Sequence, residues 1–154
     1  MKYLPKFQEY HSNMKKLIFI TCLFFHFNAF ADWVLIKTPS DGPRVYYDPS
    51  SIIKKGISGF ITVKFVYQSP QLMRSRGGEE IMIIASKFEM RLDCIKYHFM
   101  GEKEFHYVDV DMTNMAFFAS YDYEKDHNLI IRASQGSIAR RWMDKVCKSK
   151  ASNS

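Results

Sequence analysis

The stretch I-M-I-I-A-S-K-F-E-M-R-L-D-C, residues 81–94, carries the clearest period-two pattern of the chain. Successive side chains of a β-strand point to opposite sides of the sheet. One side of this predicted strand is charged, with Lys87, Glu89, Arg91 and Asp93. The other side is largely apolar, with Met82, Ile84, Ser86, Phe88, Met90, Leu92 and Cys94. The alternation predicts an antiparallel strand with one buried face, and it places Cys94 on that face at the end of the strand.

Weaker strand patterns lie on both sides of this stretch. Before it, the sequence predicts strands at 33–37, 44–48 and 60–68, turns at 38–43 and 48–51, and an open loop at 69–80. After it, residues 95–109 predict one or two strands with His98 and His106 together on the polar side, and residues 128–131 a short last strand. Residues 111–133 are the least regular part, and the aromatic-rich segment 115–123 within them is interpreted as a core strand or lid, or as an exposed edge.

Residues 134–148 change to helical spacing. Ser134 or Ser137 is suited to cap the first turn. The apolar positions that follow have the spacing of one helix face: Ala139, Trp142, Met143, Val146 and Cys147. The predicted fold class is therefore α+β, a single antiparallel sheet of about five or six strands packed against one C-terminal α-helix.

Two cysteines lie on the faces that this arrangement brings together. Cys94 is on the apolar face of the strand, and Cys147 is on the apolar face of the helix. We predict a disulfide between them that ties the helix to the sheet; the alternative is a pair of buried free thiols. An oxidising compartment favours the disulfide.

The first 31 residues have the pattern of a leader. Lys15 and Lys16 precede an apolar run at 17–27, and Ala29-Phe30-Ala31 is a small-x-small cleavage site, so we predict a signal peptide at 14–31 that is cut between Ala31 and Asp32. We predict that translation starts at Met14 and that residues 1–13 are not part of the protein. The alternative is that residues 1–13 form a long charged n-region of the signal peptide. Cys22 is read as one apolar residue of the run, with lipidation as the alternative.

Export to the periplasm or the outer cell surface follows from this leader. The protein that remains is predicted to form one domain at 32–148 and a disordered tail at 149–154. Its formal net charge falls from +6 to +3, because the leader carries four lysines and one glutamate. So small a charge and the lack of any nucleic-acid motif argue against a nucleic-acid partner. No apolar stretch beyond the leader is long enough to span a membrane.

Catalytic and cofactor motifs are missing from the sequence. Neither Gly-x-Ser-x-Gly nor His-Glu-x-x-His occurs, and the cysteines form no Cys-x-x-Cys pair. His98, His106, Asp109 and Asp111 are candidate metal ligands, and His98, His127 or a methionine could bind haem; the alternative is an ordinary solvated strand face. We predict no enzymatic activity, no cofactor and no metal site.

Two segments are candidates for binding a protein partner. The first is the loop with Arg74 and Arg76, whose guanidinium groups can bind carboxylates or sulfates, although an ordinary solvated loop has the same composition. The second is the segment 115–123, which would form an adhesive patch if it were exposed, with Phe117, Phe118, Tyr121 and Tyr123.

Several motifs in order resemble the surface-adhesin protein E family of small exported bacterial proteins. They are D-W-V at 32–34, Y-Y-D-P-S-S-I at 46–52, S-K at 86–87 with D-C at 93–94, and Q-G-S-I-A at 135–139 with V-C at 146–147. The resemblance implies a sheet, a C-terminal helix and a disulfide, leaves a homodimer open, and suggests an adhesin that binds host matrix and serum proteins such as vitronectin and laminin. Two features depart from the family pattern: a convincing lipoprotein box at Cys22 and a proline before the final helix are both missing.

Three functions are consistent with these observations. The leading hypothesis is an exported, non-enzymatic binding protein that resembles an adhesin. The alternative is a periplasmic accessory or structural protein with a bacterial partner, and exposure on the cell surface separates these two. A carrier of a small ligand is the third, and an apolar cavity with convergent polar groups would support it.

Overall fold

The computed structural model describes residues 32–36, 40, 42–75 and 77–149. All of them belong to the second of the two units, 1–30 and 31–154, into which the chain divides. The following predictions concern residues outside the described part and stay predictions: the signal peptide 14–31, the start at 1–13, lipidation at Cys22, cleavage after Ala31, the side chain of Arg76 and the tail beyond Ser149.

A single antiparallel sheet and one C-terminal helix form the described part, as the sequence predicts. Strands β1 to β6 lie in chain order across the sheet, and β7 pairs with the other end of β5. The strands are β1 (Val34–Ile36), β2 (Arg44–Lys55), β3 (Ser58–Arg74), β4 (Glu80–Asp93), β5 (His98–Tyr107), β6 (Met115–Ser120) and β7 (Ile131–Arg132). The helix, α1, is Ile138–Cys147, and a short 3₁₀ turn spans His127–Leu129.

The predicted turn at 48–51 is wrong, because β2 continues through it as a bulge. The pairing of β2 with β3 shifts between Asp48 and Ile53. Pro49 has no N–H to give to the ladder, so a bulge is the way a strand accommodates it. Side chains replace the missing pairing: Ser51 Oγ accepts a hydrogen bond from the Thr62 N–H (2.7 Å) and donates one to the carbonyl of Asp48 (2.7 Å).

The predicted open loop at 69–80 is also mostly strand. β3 extends to Arg74 and β4 begins at Glu80, so the connection is only 75–79. A second register shift lies between Val66 and Gln71 of β3, and residues 68–72 are exposed. A bulged strand with solvent on both sides has no buried face to impose a period of two, which is why the sequence showed none.

The main core lies between α1 and one side of the sheet, which we call the inner face. Trp142, Met143 and Val146 of the helix are buried there, as predicted. They pack with residues of β1 to β4: Ile36, Val45, Ile61, Val63, Met90 and Leu92. Ser137 caps the helix, since its Oγ accepts a hydrogen bond from the Arg140 N–H at 3.1 Å.

The predicted faces of β4 are right in its second half and wrong in its first. Ser86, Met90 and Leu92 are buried as expected, but Met82 is 51% exposed, whereas Ile83 and Ala85 are fully buried. The reason is a smaller core on the opposite side of the sheet, the outer face, where Ala85 packs with Val66 and Tyr107. A strand that is partly buried on both sides does not show one simple alternation.

The predicted disulfide is confirmed. Cys94 directly follows β4, Cys147 is the last residue of α1, and their Cα atoms are 5.4 Å apart. The same helix end is held from β2, because Lys54 Nζ donates a hydrogen bond to the Cys147 carbonyl (2.6 Å).

Gly59 allows the helix to approach β3. A Cβ atom at this position would overlap Cγ1 of Val146, a buried and stiff side chain. We therefore expect Gly59→Ala to lower the free energy of unfolding by about 1–3 kcal/mol in urea denaturation, as overpacking does. The double variant Gly59→Ala/Val146→Ala should lose less stability than the sum of the losses of the two single variants, because the smaller side chain at 146 makes room for the new Cβ. Gly77→Ala, where a Cβ meets only Ser75 Oγ at 3.7 Å, is the control; an equal loss there would contradict the explanation.

Candidate binding surfaces

The outer face carries one row of side chains that crosses six strands. Antiparallel pairing sets directly opposite residues on the same side of a sheet. From β1 to β6 the paired residues are Leu35, Tyr46, Lys64, Lys87, Phe105 and Phe118. We call this set the outer row; it contains one residue from each of the strands β1 to β6.

Lysine and aromatic side chains contact each other along the outer row. Lys64 Nζ lies 4.6 Å from the centroid of the Trp33 ring and 4.9 Å from that of Tyr46, and Lys87 Nζ lies 4.2 Å from that of Phe105. Burial, and then the positive charge of Arg44, lower the pKa of Lys64 from its usual value. Such cation–π contacts are worth about 0.5–1 kcal/mol each at exposed sites, so they hold the two lysines along the sheet.

The outer row ends at β6, the edge strand of the described sheet. Phe118 is 49% exposed, and its ring contacts that of Phe105 at a centroid distance of 5.0 Å. Met115, at the start of the same strand, is 56% exposed. We call Met115, Phe118 and the side of β6 that pairs with no other strand of the described sheet the apolar edge. An edge strand presents unpaired backbone groups together with its side chains.

The turn before β6 is fixed by Asp109. Its carboxylate accepts hydrogen bonds from the hydroxyl of Thr113, the N–H of Thr113 (3.2 Å) and the N–H of Asn114 (3.2 Å). The hydroxyl of Thr113, first, and then the backbone donors lower the pKa of Asp109. The turn therefore sets where the apolar edge begins.

The four aromatic residues predicted as one patch lie in different places. Phe118 is at the apolar edge, whereas Phe117 points to the inner face and stacks on His106 at 4.3 Å. Tyr121 lines a cavity on the inner face, and Tyr123 lies under the guanidinium group of Arg91 at 4.5 Å. Alternation along β6 separates Phe117 from Phe118, and the strand ends before the tyrosines.

The predicted arginine pair is described only at Arg74. This side chain is at the end of β3, and it forms a 2.6 Å ion pair with Glu80 at the start of β4. Both partners are exposed, so the ion pair contributes little to stability. Arg76 lies outside the described residues.

A cavity of about 490 Å³ opens on the inner face beside the start of α1. Its wall includes Leu129 of the 3₁₀ turn and the carboxylate residue Glu104 of β5. The rest of the wall is dominated by aromatic residues: Phe65, Tyr67, Phe88, Phe99, Tyr121 and Trp142. The residues come from six separate segments of the chain, so no local sequence motif indicates the cavity.

A series of contacting polar side chains, with Ser86 and His106 buried, lies beside this cavity. Ser86 Oγ and His106 Nδ1 are 2.8 Å apart, and the Tyr67 hydroxyl donates a hydrogen bond to Ser86 Oγ (3.3 Å). His106 Nε2 lies 3.6 Å from Glu104 Oε2 and makes no hydrogen bond within the described part. The order hydroxyl, imidazole, carboxylate is that of acyl-transfer enzymes. Ser86, however, is fully buried and is not part of the cavity wall, so its hydroxyl is not placed to meet a substrate.

The prediction that His98 and His106 share the polar side of the sheet is wrong. His106 is 1% exposed and lies on the inner face. Glu89 pairs with Lys103 and Met90 pairs with Gly101, so Glu102 is an extra residue in β5. This bulge reverses the alternation and puts the two histidines on opposite faces. Among the described residues, no three His, Cys, Asp or Glu side chains are grouped so that they could hold a metal ion.

Comparison with family models gives no match for this chain, and comparison with curated proteins gives none either. In the described part, none of the helices is both long enough and apolar enough to cross a membrane.

Proposed function

We propose that this protein is an exported, non-enzymatic binding protein that recognises protein partners through the apolar edge and the adjoining outer row. The observation that supports this most is the exposure of Phe118 and Met115 on β6, an edge strand of the described sheet. The resemblance to the protein E adhesins supports host matrix proteins such as vitronectin and laminin as the partners.

Two contributions would act together in such recognition. The backbone of β6 can pair with an extended segment of the partner, which supplies main-chain hydrogen bonds. Phe118 and Met115 would then select the partner's side chains, since aromatic residues and methionine are enriched at interfaces. The cation–π contacts of Lys64 and Lys87 hold the side chains of the outer row in place before binding, which reduces the entropy lost on association.

Phe118→Glu tests this function. We expect the variant to bind immobilised vitronectin or laminin at least about tenfold more weakly than the natural protein, because it removes the exposed aromatic anchor where the outer row meets the apolar edge. Surface plasmon resonance measures the change. Ile57→Glu is the matched control, since Ile57 is 56% exposed in the β2–β3 turn, outside the apolar edge. Equal binding by the natural protein and both variants would contradict the proposed surface.

The location of the protein separates the adhesin from the periplasmic accessory protein. Protease treatment of intact cells, with lysed cells as the control, should cut this domain in both samples if it is displayed on the surface. Cleavage only after lysis would place it in the periplasm. The same surface would then serve a partner in the bacterial envelope, and the host-protein assignment would be overturned.

A further inference from the structure

We propose that the cavity on the inner face binds a small organic cation, a primary amine or quaternary ammonium compound with an apolar body. The site lies on the side of the sheet opposite the outer row, so it is independent of the protein-binding surface proposed above. It rests on the aromatic wall, the position of one carboxylate and the size of the cavity.

Aromatic rings line the cavity in fixed orientations. Phe65 and Phe88 meet edge to face at a centroid distance of 5.3 Å, and Phe99 meets Trp142 in the same way at 5.0 Å. These pairs hold the wall without help from a ligand. The face of an aromatic ring attracts a cation, and rings around a cavity are how proteins bind quaternary ammonium groups.

Glu104 gives this cavity its charge preference. It is the only carboxylate in the wall, and no lysine, arginine or histidine lines it among the described residues. His106 Nε2 lies 3.6 Å from Glu104 Oε2 and makes no hydrogen bond within the described part, and no basic side chain forms part of the wall itself. A carboxylate beside apolar walls attracts a cationic group more strongly than it would in water, and it repels an anion.

The size of the cavity suits a ligand with an apolar body. About 490 Å³ is within the range of small-molecule sites, and it exceeds what an ammonium group alone would fill. Leu129, Ile138 and Ala139 extend the apolar wall beyond the aromatic rings. A ligand would therefore place its cationic head near Glu104 and its apolar body against the helix.

Three probes with one tail and different heads test the proposal: octyltrimethylammonium, octan-1-ol and octanoate. Isothermal titration calorimetry on the full chain should show the cation binding about tenfold more tightly than the alcohol, and octanoate more weakly still. Equal affinity for cation and alcohol, or no binding of any probe, would overturn the proposal. This comparison needs only the natural protein, so it does not depend on whether a variant folds.

Variants locate the bound probe. Glu104→Gln should remove the tenfold preference for the cation, while Glu102→Gln should keep it, because Glu102 pairs with Arg91 and is not in the cavity wall. Phe118→Glu should bind the cation as the natural protein does. If Phe118→Glu abolishes binding, the probe occupies the apolar edge and the cavity proposal is wrong, whereas the proposed protein-binding surface is unaffected by that result.

Discussion

Replacing both Cys94 and Cys147 by alanine should lower the free energy of unfolding by roughly 4 kcal/mol. The disulfide closes a loop between residues 53 positions apart, and the unfolded chain gains the entropy of that loop when the link is removed. This loss is a large part of the total stability of a small domain. Urea denaturation of the double variant against the oxidised natural protein measures it.

Reductant provides the control for this prediction. It should bring the natural protein close to the double variant and leave the double variant unchanged. Alkylation before reduction should label neither Cys94 nor Cys147 in the natural protein. Two readily alkylated thiols, or a double variant within about 1 kcal/mol of the oxidised protein, would contradict the stabilising role of the bond.

Trp142→Ala should cost about 3–5 kcal/mol, the range found when a buried aromatic residue is truncated in a core. Trp142 is 2% exposed, contacts the Phe99 ring and is one of three helix residues buried against the sheet. It also walls the inner cavity, so its loss would leave a larger space that the surrounding side chains are unable to fill. Thermal and urea unfolding, both followed by circular dichroism, measure the change.

Trp142→Phe is the matched variant, because a smaller ring keeps part of the contact with Phe99. We expect its loss of stability to be clearly smaller than that of the alanine variant. If both variants cost less than about 1 kcal/mol, the packing of α1 through Trp142 would not be a main source of stability. The disulfide would then be the main link between helix and sheet.

The two faces of the sheet support two separate proposals. The outer face offers an exposed edge to a protein, and the inner face offers an open, aromatic-lined cavity to a small molecule. β5 contributes to both, since Phe105 lies in the outer row and Glu104 lies in the cavity wall. Neighbouring residues of a strand point to opposite sides, so each function can be altered by its own substitution.

Much of the fold could be predicted because its signals are local. The alternation in the second half of β4 and the helical spacing of Trp142, Met143 and Val146 each follow from the geometry of one element. Bulges could not be predicted in this way. Glu102 in β5 reverses the faces of the strand, and this is why His106 is buried although the sequence predicts that it shares the polar side with His98.

The candidate sites were less predictable than the fold. Phe118 was one of four aromatic residues predicted as a patch, but only the pairing of β6 with β5 shows that it lies on the outer face while Phe117 stacks on His106. Glu104 carries no signal in the sequence, because five of the six aromatic residues around it come from other segments of the chain and only Phe99 lies in β5 with it.

Local sequence patterns are sufficient to predict an antiparallel sheet, one amphipathic C-terminal helix and a disulfide that can join them, and the structure confirms the pairing. Periods of two and 3.6 residues are properties of single elements, and the two cysteines lie on the faces that must meet. Which aromatic residues gather in the outer row, at the apolar edge and around the inner cavity follows only from how the strands pair and how the helix packs on them. Register and bulges set those neighbours, and both depend on pairing between strands that are distant in the chain.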